Sequence, residues 1–179
     1  MSPRAITAIA LLGGFAFLSA ACQRGERAGE REARTQETAQ AVSLPDTTAA
    51  SVWSYLQRVS YRSAWSTWPG KGKLYEGTEP HGMLLTTYLS PVALDALTNR
   101  AGAMPAGAII VKENYAPDST FAAATVMYKV GGYDPQNNDW FWMKRNADGT
   151  VEAQGRVPMC AGCHAQAKDN DYVVTGSIR

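Results

Sequence analysis

Two cysteines and a histidine close to the end of the sequence constrain the fold more than any other feature. Cys160 and Cys163 are separated by two residues, and His164 follows directly. This spacing is typical of covalent haem attachment, in which two thiols bond to the vinyl groups of one porphyrin and the histidine binds its iron. We therefore predict one covalent haem c with His164 as the proximal iron ligand. The chain must then fold around a large, flat and mostly apolar group.

Other uses of such a cysteine pair are a disulfide, half of a zinc site and a thioredoxin-like redox pair. A closed zinc site needs four ligands, and the other histidine and cysteine are His81 and Cys22, the latter predicted to lie outside the folded domain. A redox pair is expected at the start of a helix in a βαβ unit, and no such alternation surrounds residues 160–163. The disulfide and the redox pair remain the alternatives to haem.

The N-terminus predicts export. Arg4 precedes an apolar run, residues 5–18, which suits a signal-peptide core and is short and glycine-interrupted for a membrane span. Residues 1–21 are therefore predicted to be a signal peptide. The run ends in Leu-Ser-Ala-Ala-Cys, which resembles a bacterial lipoprotein cleavage box and predicts a lipid on Cys22; ordinary signal-peptidase cleavage is the alternative. Both routes predict a periplasmic protein, with or without a membrane tether.

A flexible tether is predicted for residues 22–47, because this segment is charged and has no aromatic residue or regular apolar stripe. Residues 48–179 then form one domain, a length that suits a single core. The formal net charge of +1 gives no basic field that would attract nucleic acid.

The domain is predicted to be α+β. Apolar residues at helical spacing predict an amphipathic helix over 50–65, and Ser90 followed by Pro91 predicts the start of a short second helix. A third helix would carry the haem-attachment motif. Most of the remaining sequence is rich in β-branched and aromatic residues, with short loops that require antiparallel pairing. The predicted strands are 82–89, 107–115, 121–133, 139–146 and 150–154.

This pattern disfavours two other classes of haem protein. A four-helix cytochrome would show four long apolar helical stretches, whereas the centre of this chain reads as an antiparallel sheet of about five strands. A small electron-transfer cytochrome usually has its attachment motif near the start of the chain and a methionine ligand downstream. No methionine follows His164.

The sequence resembles the cytochrome P-460 family and its relatives, the β-sheet cytochromes c′. The stretches that carry the resemblance are residues 79–91, 105–113, 138–142, 160–164 and 169–176. The resemblance implies an antiparallel sheet, a homodimer, and one c-haem with a proximal histidine and an open distal face. In some members a lysine is crosslinked to the porphyrin, and these enzymes oxidise hydroxylamine and pass electrons to a soluble protein. Members without the crosslink bind nitric oxide and carbon monoxide.

Lys112 corresponds to the crosslinking lysine of the family. Strand alternation puts Lys112 on the same face as Ile110, so an ammonium would share a surface with an aliphatic side chain. A buried lysine is costly unless it is paired or chemically altered. The alternatives are that this face turns to solvent or that an acid such as Glu113 neutralises the charge.

His81 stands where the crosslinked members carry an aromatic ring over the distal face. An imidazole there could donate a hydrogen bond to an iron-bound ligand, or bind the iron as a sixth ligand. A histidine that only stabilises the turn before Gly82 is the third interpretation. Three functions follow from these choices: an enzyme that oxidises hydroxylamine, a cytochrome that binds nitric oxide or carbon monoxide, and a six-coordinate electron-transfer protein.

Overall fold

The computed structural model describes residues 43–179 of the chain. The predictions for the signal peptide, Cys22 and most of the tether lie outside the described residues. Residues 44–179 form one unit, and its first residues already contact the sheet, because the Tyr128 hydroxyl donates to the Pro45 carbonyl at 3.1 Å. No helix within residues 43–179 is long and apolar enough to cross a membrane.

An antiparallel sheet of seven strands organises the domain, with strand order β1-β3-β4-β5-β6-β7 and β2 paired to β3. Every strand pair is antiparallel, as the short connecting loops require. The α+β prediction is confirmed, although the two-residue strands β1 and β2 had no recognisable signal in the sequence. The strands are β1 Ser66–Thr67, β2 Tyr75–Glu76, β3 Leu84–Leu89, β4 Ile109–Tyr115, β5 Phe121–Lys129, β6 Trp140–Asn146 and β7 Val151–Gly155.

Within residues 43–179, four short α-helices flank the sheet. The helix predicted over 50–65 is divided in two, because Ser60 adopts a left-handed conformation with φ of 50° and ends the regular helical path. Ser90 caps the third helix, as predicted, by accepting from the Ala93 amide at 3.3 Å. The helices are α1 Ala49–Arg58, α2 Tyr61–Ala64, α3 Pro91–Thr98 and α4 Pro158–His164, and a 3₁₀ turn, Ala165–Asn170, continues α4.

The two faces of the sheet bury different clusters. On one face, Val52 and Leu56 of α1 pack with Ile109 and Val111 of β4. On the other face, Ile110 belongs to a second cluster that includes residues of α3 and α4. Strand alternation therefore gives β4 two packed faces, and the attachment motif in α4 lies on the side of Ile110.

The predicted strand 121–133 was too long at its C-terminal end. β5 ends at Lys129, and Gly132 has a φ of 76° in the turn that follows. The turn at Gly131-Gly132 ends the strand, although Val130 and Tyr133 have high strand propensity.

The buried residues of α3 are the small ones. Ala93 and Ala96 are buried, whereas Leu94 and Leu97 are only partly buried.

Candidate functional site

Two rows of side chains across the sheet form the floor of a cleft. Directly paired residues in antiparallel strands project to the same face. One row runs from Lys112 through Thr125 and Lys144 to Ala153, and all four line the cleft. The adjacent, more apolar row consists of Ile110, Met127 and Trp142.

The walls of the cleft come from segments far apart in sequence. Pro80 and His81 precede β3 on one side, and α4 with the C-terminal segment 173–175 lies on the other. The empty space, counted out to the open mouth, is about 1030 Å³. The largely apolar lining of the cleft suits a cofactor with a large apolar face.

His164 is held in one tautomer. Its Nδ1 lies 2.8 Å from the Tyr172 carbonyl oxygen, and because a carbonyl only accepts, Nδ1 must carry the hydrogen. Nε2 therefore keeps its lone pair, the form of imidazole that binds a metal. The ring is 8% exposed and packs edge-on against Trp142 with centroids 4.8 Å apart. Burial lowers the pKa of His164, which favours the neutral ring.

A buried ion pair supports the carbonyl that orients His164. Asp171 accepts from Lys129 Nζ at 2.6 Å and from the Met104 amide at 2.7 Å. The Asp171 carbonyl in turn accepts from Trp140 Nε1 at 2.9 Å. The stretch around Asp171 was noticed in the sequence only through family resemblance, since no local pattern predicts a partner forty-two residues away.

Cys160 and Cys163 both line the cleft and are free thiols. They and His164 lie in α4 within about one helical turn of each other. Cys160 is half-buried, and burial raises the pKa of its thiol, whereas Cys163 is exposed. The motif therefore brings both thiols and the imidazole to one side of the cleft, as covalent haem attachment requires.

Lys112 lies in the cleft floor beside Ile110, so the predicted shared face is present. Within residues 43–179 no carboxylate forms an ion pair with its ammonium. Burial, and to a smaller extent the positive charge of Lys71, lowers the pKa of Lys112 to about 8. Lys112 is thus an amine that faces the site of the predicted cofactor and is mostly charged at pH 7, with an uncharged fraction of about a tenth that follows from this pKa.

His81 also lies in the cleft, opposite His164, with ring centroids 6.0 Å apart and planes nearly perpendicular. Its Nδ1 is 3.3 Å from the Thr125 hydroxyl. Burial and the nearby positive charges of Lys112 and a protonated His164 lower the pKa of His81 to about 4. The ring is therefore neutral at pH 7 and can offer either a lone pair or an N–H to the cleft.

Other methionines and acids that could serve as iron ligands or proton acceptors are divided between the cleft and the rest of the fold. Met127 and Met143 line the cleft, whereas Met104 is buried away from it. Glu113 lies on the opposite face of β4, and Asp134 and Asp139 stabilise the turn before β6. Sequence reasoning missed Glu152, which lies at the cleft and pairs with Lys144 at 2.9 Å. An isolated acid in a short strand gives no sequence signal.

The lining of the cleft fits a haem. Two thiols and an imidazole with a free Nε2 lie beside an apolar floor, and the buried Trp142 Nε1 has no hydrogen-bond partner among the described residues. A buried donor without a partner is rare in folded proteins, and a carboxylate at the edge of a porphyrin would satisfy it. Residues 43–179 contain no cluster of three or more His, Cys, Asp or Glu side chains that could hold a metal ion.

A comparison with protein families agrees with the geometry. The cytochrome P460 family matches residues 65–175, well over half of the chain. No curated protein matches this sequence. The matched segment contains the sheet, His81, Lys112 and the attachment motif, so the resemblance inferred from the sequence is confirmed: the chain belongs to the cytochrome P460 family.

Proposed function

We propose that this protein is a periplasmic mono-haem c cytochrome that binds small nitrogen ligands, hydroxylamine or nitric oxide, in the cleft and oxidises hydroxylamine. The observation that carries the proposal is the convergence of Cys160, Cys163 and the free Nε2 of His164 on one apolar cleft. Bound haem supplies an iron that exchanges electrons and offers a coordination position to a small ligand.

The side chains of the cleft have distinct tasks in this proposal. Cys160 and Cys163 attach the cofactor, and His164 binds its iron through Nε2, with the Tyr172 carbonyl fixing the ring. The apolar floor row of Ile110 and Trp142 excludes water from the reacting centre. Electrons leave to a soluble electron-transfer protein, and the protein pairs as a homodimer, as the family resemblance implies.

Lys112 is proposed to add its uncharged Nζ–H across a C=C bond of the porphyrin edge, so that a C–N bond and a C–H bond would form, the N–H bond and the carbon–carbon double bond would be lost, and no oxidant would be required. An amine needs its lone pair to form such a bond, and the lowered pKa of about 8 leaves part of the Lys112 population uncharged near pH 7. A bonded nitrogen would also remove the cost of a partly buried ammonium without an acidic partner. The crosslink would distinguish a hydroxylamine-oxidising enzyme from a ligand-binding cytochrome of the same fold.

Tryptic digestion of the purified, haem-loaded protein tests the attachment and the crosslink together. We expect one haem-bearing species that contains both the Cys160–Cys163 peptide and the Lys112 peptide. Lys112→Met should give an ordinary c-haem spectrum and loss of hydroxylamine oxidation, and Lys144→Met, in the same floor row, is the matched control. Wild-type protein without covalent haem would contradict the whole proposal.

A ligand-binding cytochrome is the second candidate, and the mainly apolar lining of the cleft favours it. In that case the Lys112 peptide is recovered free of haem and nitric oxide binds without turnover. A six-coordinate electron-transfer protein is tested by His81→Phe, which would convert low-spin to high-spin iron if His81 were the sixth ligand. Spectra of the ferric and ferrous protein distinguish these outcomes.

A further inference from the structure

The distance between the two histidine rings of the cleft limits what can lie between them. Their centroids are 6.0 Å apart and their planes are at 87° to each other. A metal–imidazole bond is about 2 Å long and the bonded nitrogen lies about 1 Å from its ring centre, so two rings that share one metal ion have centroids about 6 Å apart. The separation of His81 and His164 is therefore the one expected for two axial ligands of a single iron.

A histidine that only hydrogen-bonds to an iron-bound ligand needs more room. The ligand atom lies about 2 Å from the iron and the hydrogen bond to it adds about 3 Å, so the two ring centroids would be about 8–9 Å apart. The observed 6.0 Å is too short for this arrangement. With the iron bound to His164, no space for a ligand remains between the iron and the His81 ring.

Both rings contact the protein through the same nitrogen. His164 Nδ1 lies 2.8 Å from the Tyr172 carbonyl oxygen, and His81 Nδ1 lies 3.3 Å from the Thr125 hydroxyl. These contacts leave Nε2 of each ring for the cleft, which both residues line. A contact at one ring nitrogen orients the other towards a metal. His81 thus has the same arrangement as the proposed proximal ligand.

The turn that carries His81 is closed by a tight contact between its two ends. The Gly77 amide donates to the Met83 carbonyl at 2.8 Å. A side chain at Gly77 would collide with the Gly82 carbonyl oxygen, so the two ends approach as closely as only glycine allows. The backbone of the turn therefore holds His81 opposite His164.

We propose that His81 Nε2 is the sixth ligand of the haem iron when no other ligand is bound, with its ring perpendicular to that of His164, and that small ligands bind by displacing it. In this exchange the bond from the iron to His81 breaks, the bond to the incoming ligand forms, and the oxidation state of the iron is unchanged. The apparent affinity for every ligand falls with the fraction of iron that His81 leaves free. This inference rests on the proposed function, because it requires haem in the cleft and a ligand that reaches the iron.

Electron paramagnetic resonance of the ferric, haem-loaded protein tests whether His81 is bound. We expect low-spin iron with the large anisotropy that perpendicular axial rings produce. His81→Phe should convert it to high-spin iron, and imidazole added to His81→Ala should restore low-spin iron. Low-spin iron that persists in His81→Phe would overturn the inference, and so would a wild-type signal typical of parallel rings.

A pair of glycine variants tests the turn without changing the ligand itself. Gly77→Ala should displace the turn and convert much of the iron to high spin. The matched control is Gly131→Ala, where an added Cβ would meet only the Ala106 Cβ, at 3.8 Å, and the low-spin signal should be kept. An unchanged low-spin signal in Gly77→Ala would contradict the placement of His81 by the turn.

Carbon monoxide binding to the ferrous protein tests the displacement and separates it from a six-coordinate electron-transfer protein. At high carbon monoxide concentration the wild-type rate should become independent of that concentration, because His81 must leave first, whereas the rate in His81→Phe should stay proportional to it. If His81 occupies about nine-tenths of the ferrous iron, the affinity should rise about tenfold in His81→Phe.

The outcomes distinguish this inference from the proposed function. High-spin iron in the haem-loaded wild-type protein would defeat the inference alone. Low-spin iron that carbon monoxide never reaches would defeat both the displacement and the proposed binding of small ligands. Wild-type protein without haem would also defeat both.

Discussion

Lys112 and Glu113 are neighbours in β4, and their side chains lie on opposite faces of the sheet, where only the charge of Glu113 has partners. Glu113 is 1% exposed and accepts from the Tyr61 hydroxyl at 2.6 Å and from Arg62 Nε and the Tyr115 hydroxyl at 2.5 Å each. Lys112 has no acidic partner within the described residues. Removing one member of the Glu113 cluster would leave a buried group unpaired, which is costly, whereas Lys112, without an acidic partner, is a candidate functional residue.

The face with Glu113 is closed and the face with Lys112 is open. The Arg62 guanidinium stacks on the rings of Tyr61 and Phe121 above Glu113, and half of the Arg62 side chain remains exposed. The Lys112 face instead ends in the cleft, where both histidines lie. We therefore expect substitutions on the two faces of β4 to change different properties. Substitutions on the Glu113 face should lower the unfolding free energy, and substitutions on the Lys112 face should change the haem and its reactions.

Removing the Glu113 charge should have the largest effect on stability. Glu113→Gln replaces a carboxylate that accepts three hydrogen bonds with an amide. The amide has one acceptor oxygen, and its NH₂ group would face the remaining donors, so we expect a loss of about 3–5 kcal/mol of unfolding free energy. Urea unfolding of the haem-loaded protein measures it. The control is Glu152→Gln, which removes an exposed ion pair with Lys144 and should leave the unfolding free energy close to that of the wild type. Equal losses of unfolding free energy in Glu113→Gln and Glu152→Gln would contradict the contrast between the two faces.

Asp171→Asn tests whether the cleft face tolerates any unpaired lysine. Lys129 would lose its carboxylate while remaining 12% exposed, and we expect a loss of about 2–3 kcal/mol. The Tyr172 carbonyl should also shift, so the iron–histidine stretch in the Raman spectrum of the reduced protein should move. Asp169→Asn, an exposed neighbour, is the control. A stability loss without a change in that stretch would mean that Asp171 does not position His164.

Lys112→Met should cost less unfolding free energy than Glu113→Gln, because the amine has no acidic partner and methionine fills a similar volume, so that only the proposed bond to the porphyrin is lost. The same urea experiment measures it, with Lys144→Met as control. A loss as large as that of Glu113→Gln would show that Lys112 has a structural partner, and the contrast between the faces would fail.

Alkaline titration should give the smallest effect. Burial, followed by hydrogen bonding to Glu113, raises the pKa of Tyr61 and of Tyr115 far above the ordinary value of 10. Because their folded pKa is raised, their contribution to stability is complete below pH 10 and is lost as the pH rises above it. Ultraviolet absorbance should show both tyrosines protonated until the protein unfolds. Glu113→Gln should lower their titration range if the fold survives.

Local sequence patterns predicted which reactive residues lie together in the cleft. The haem motif depends on residues within one helical turn, and the shared face of Ile110 and Lys112 follows from strand alternation alone. The contacts that orient those residues and shift their pKa could not be predicted from the sequence. Thr125 meets His81 because β4 and β5 pair with Lys112 opposite Thr125, and pairing register between strands depends on the whole core.

The prediction of one continuous helix over 50–65 was wrong for a related reason. Its apolar spacing continues past Ser60, but the bend at Ser60 lets the next turn place Tyr61 and Arg62 on Glu113. Hydrogen bonds to a buried carboxylate fifty-one residues away compensate for the interrupted helix. No local propensity scale contains that interaction.

The position of α4 after β7 has a consequence for how the molecule is made. Synthesis and the proposed export both run from the N-terminus, so the strands that form the cleft floor would reach the periplasm before Cys160 and Cys163 do. Lys112 and His81 can therefore reach their places before a thiol is available to react. Cofactor attachment would then be the closing step of assembly, performed on a surface that is already shaped to orient the porphyrin.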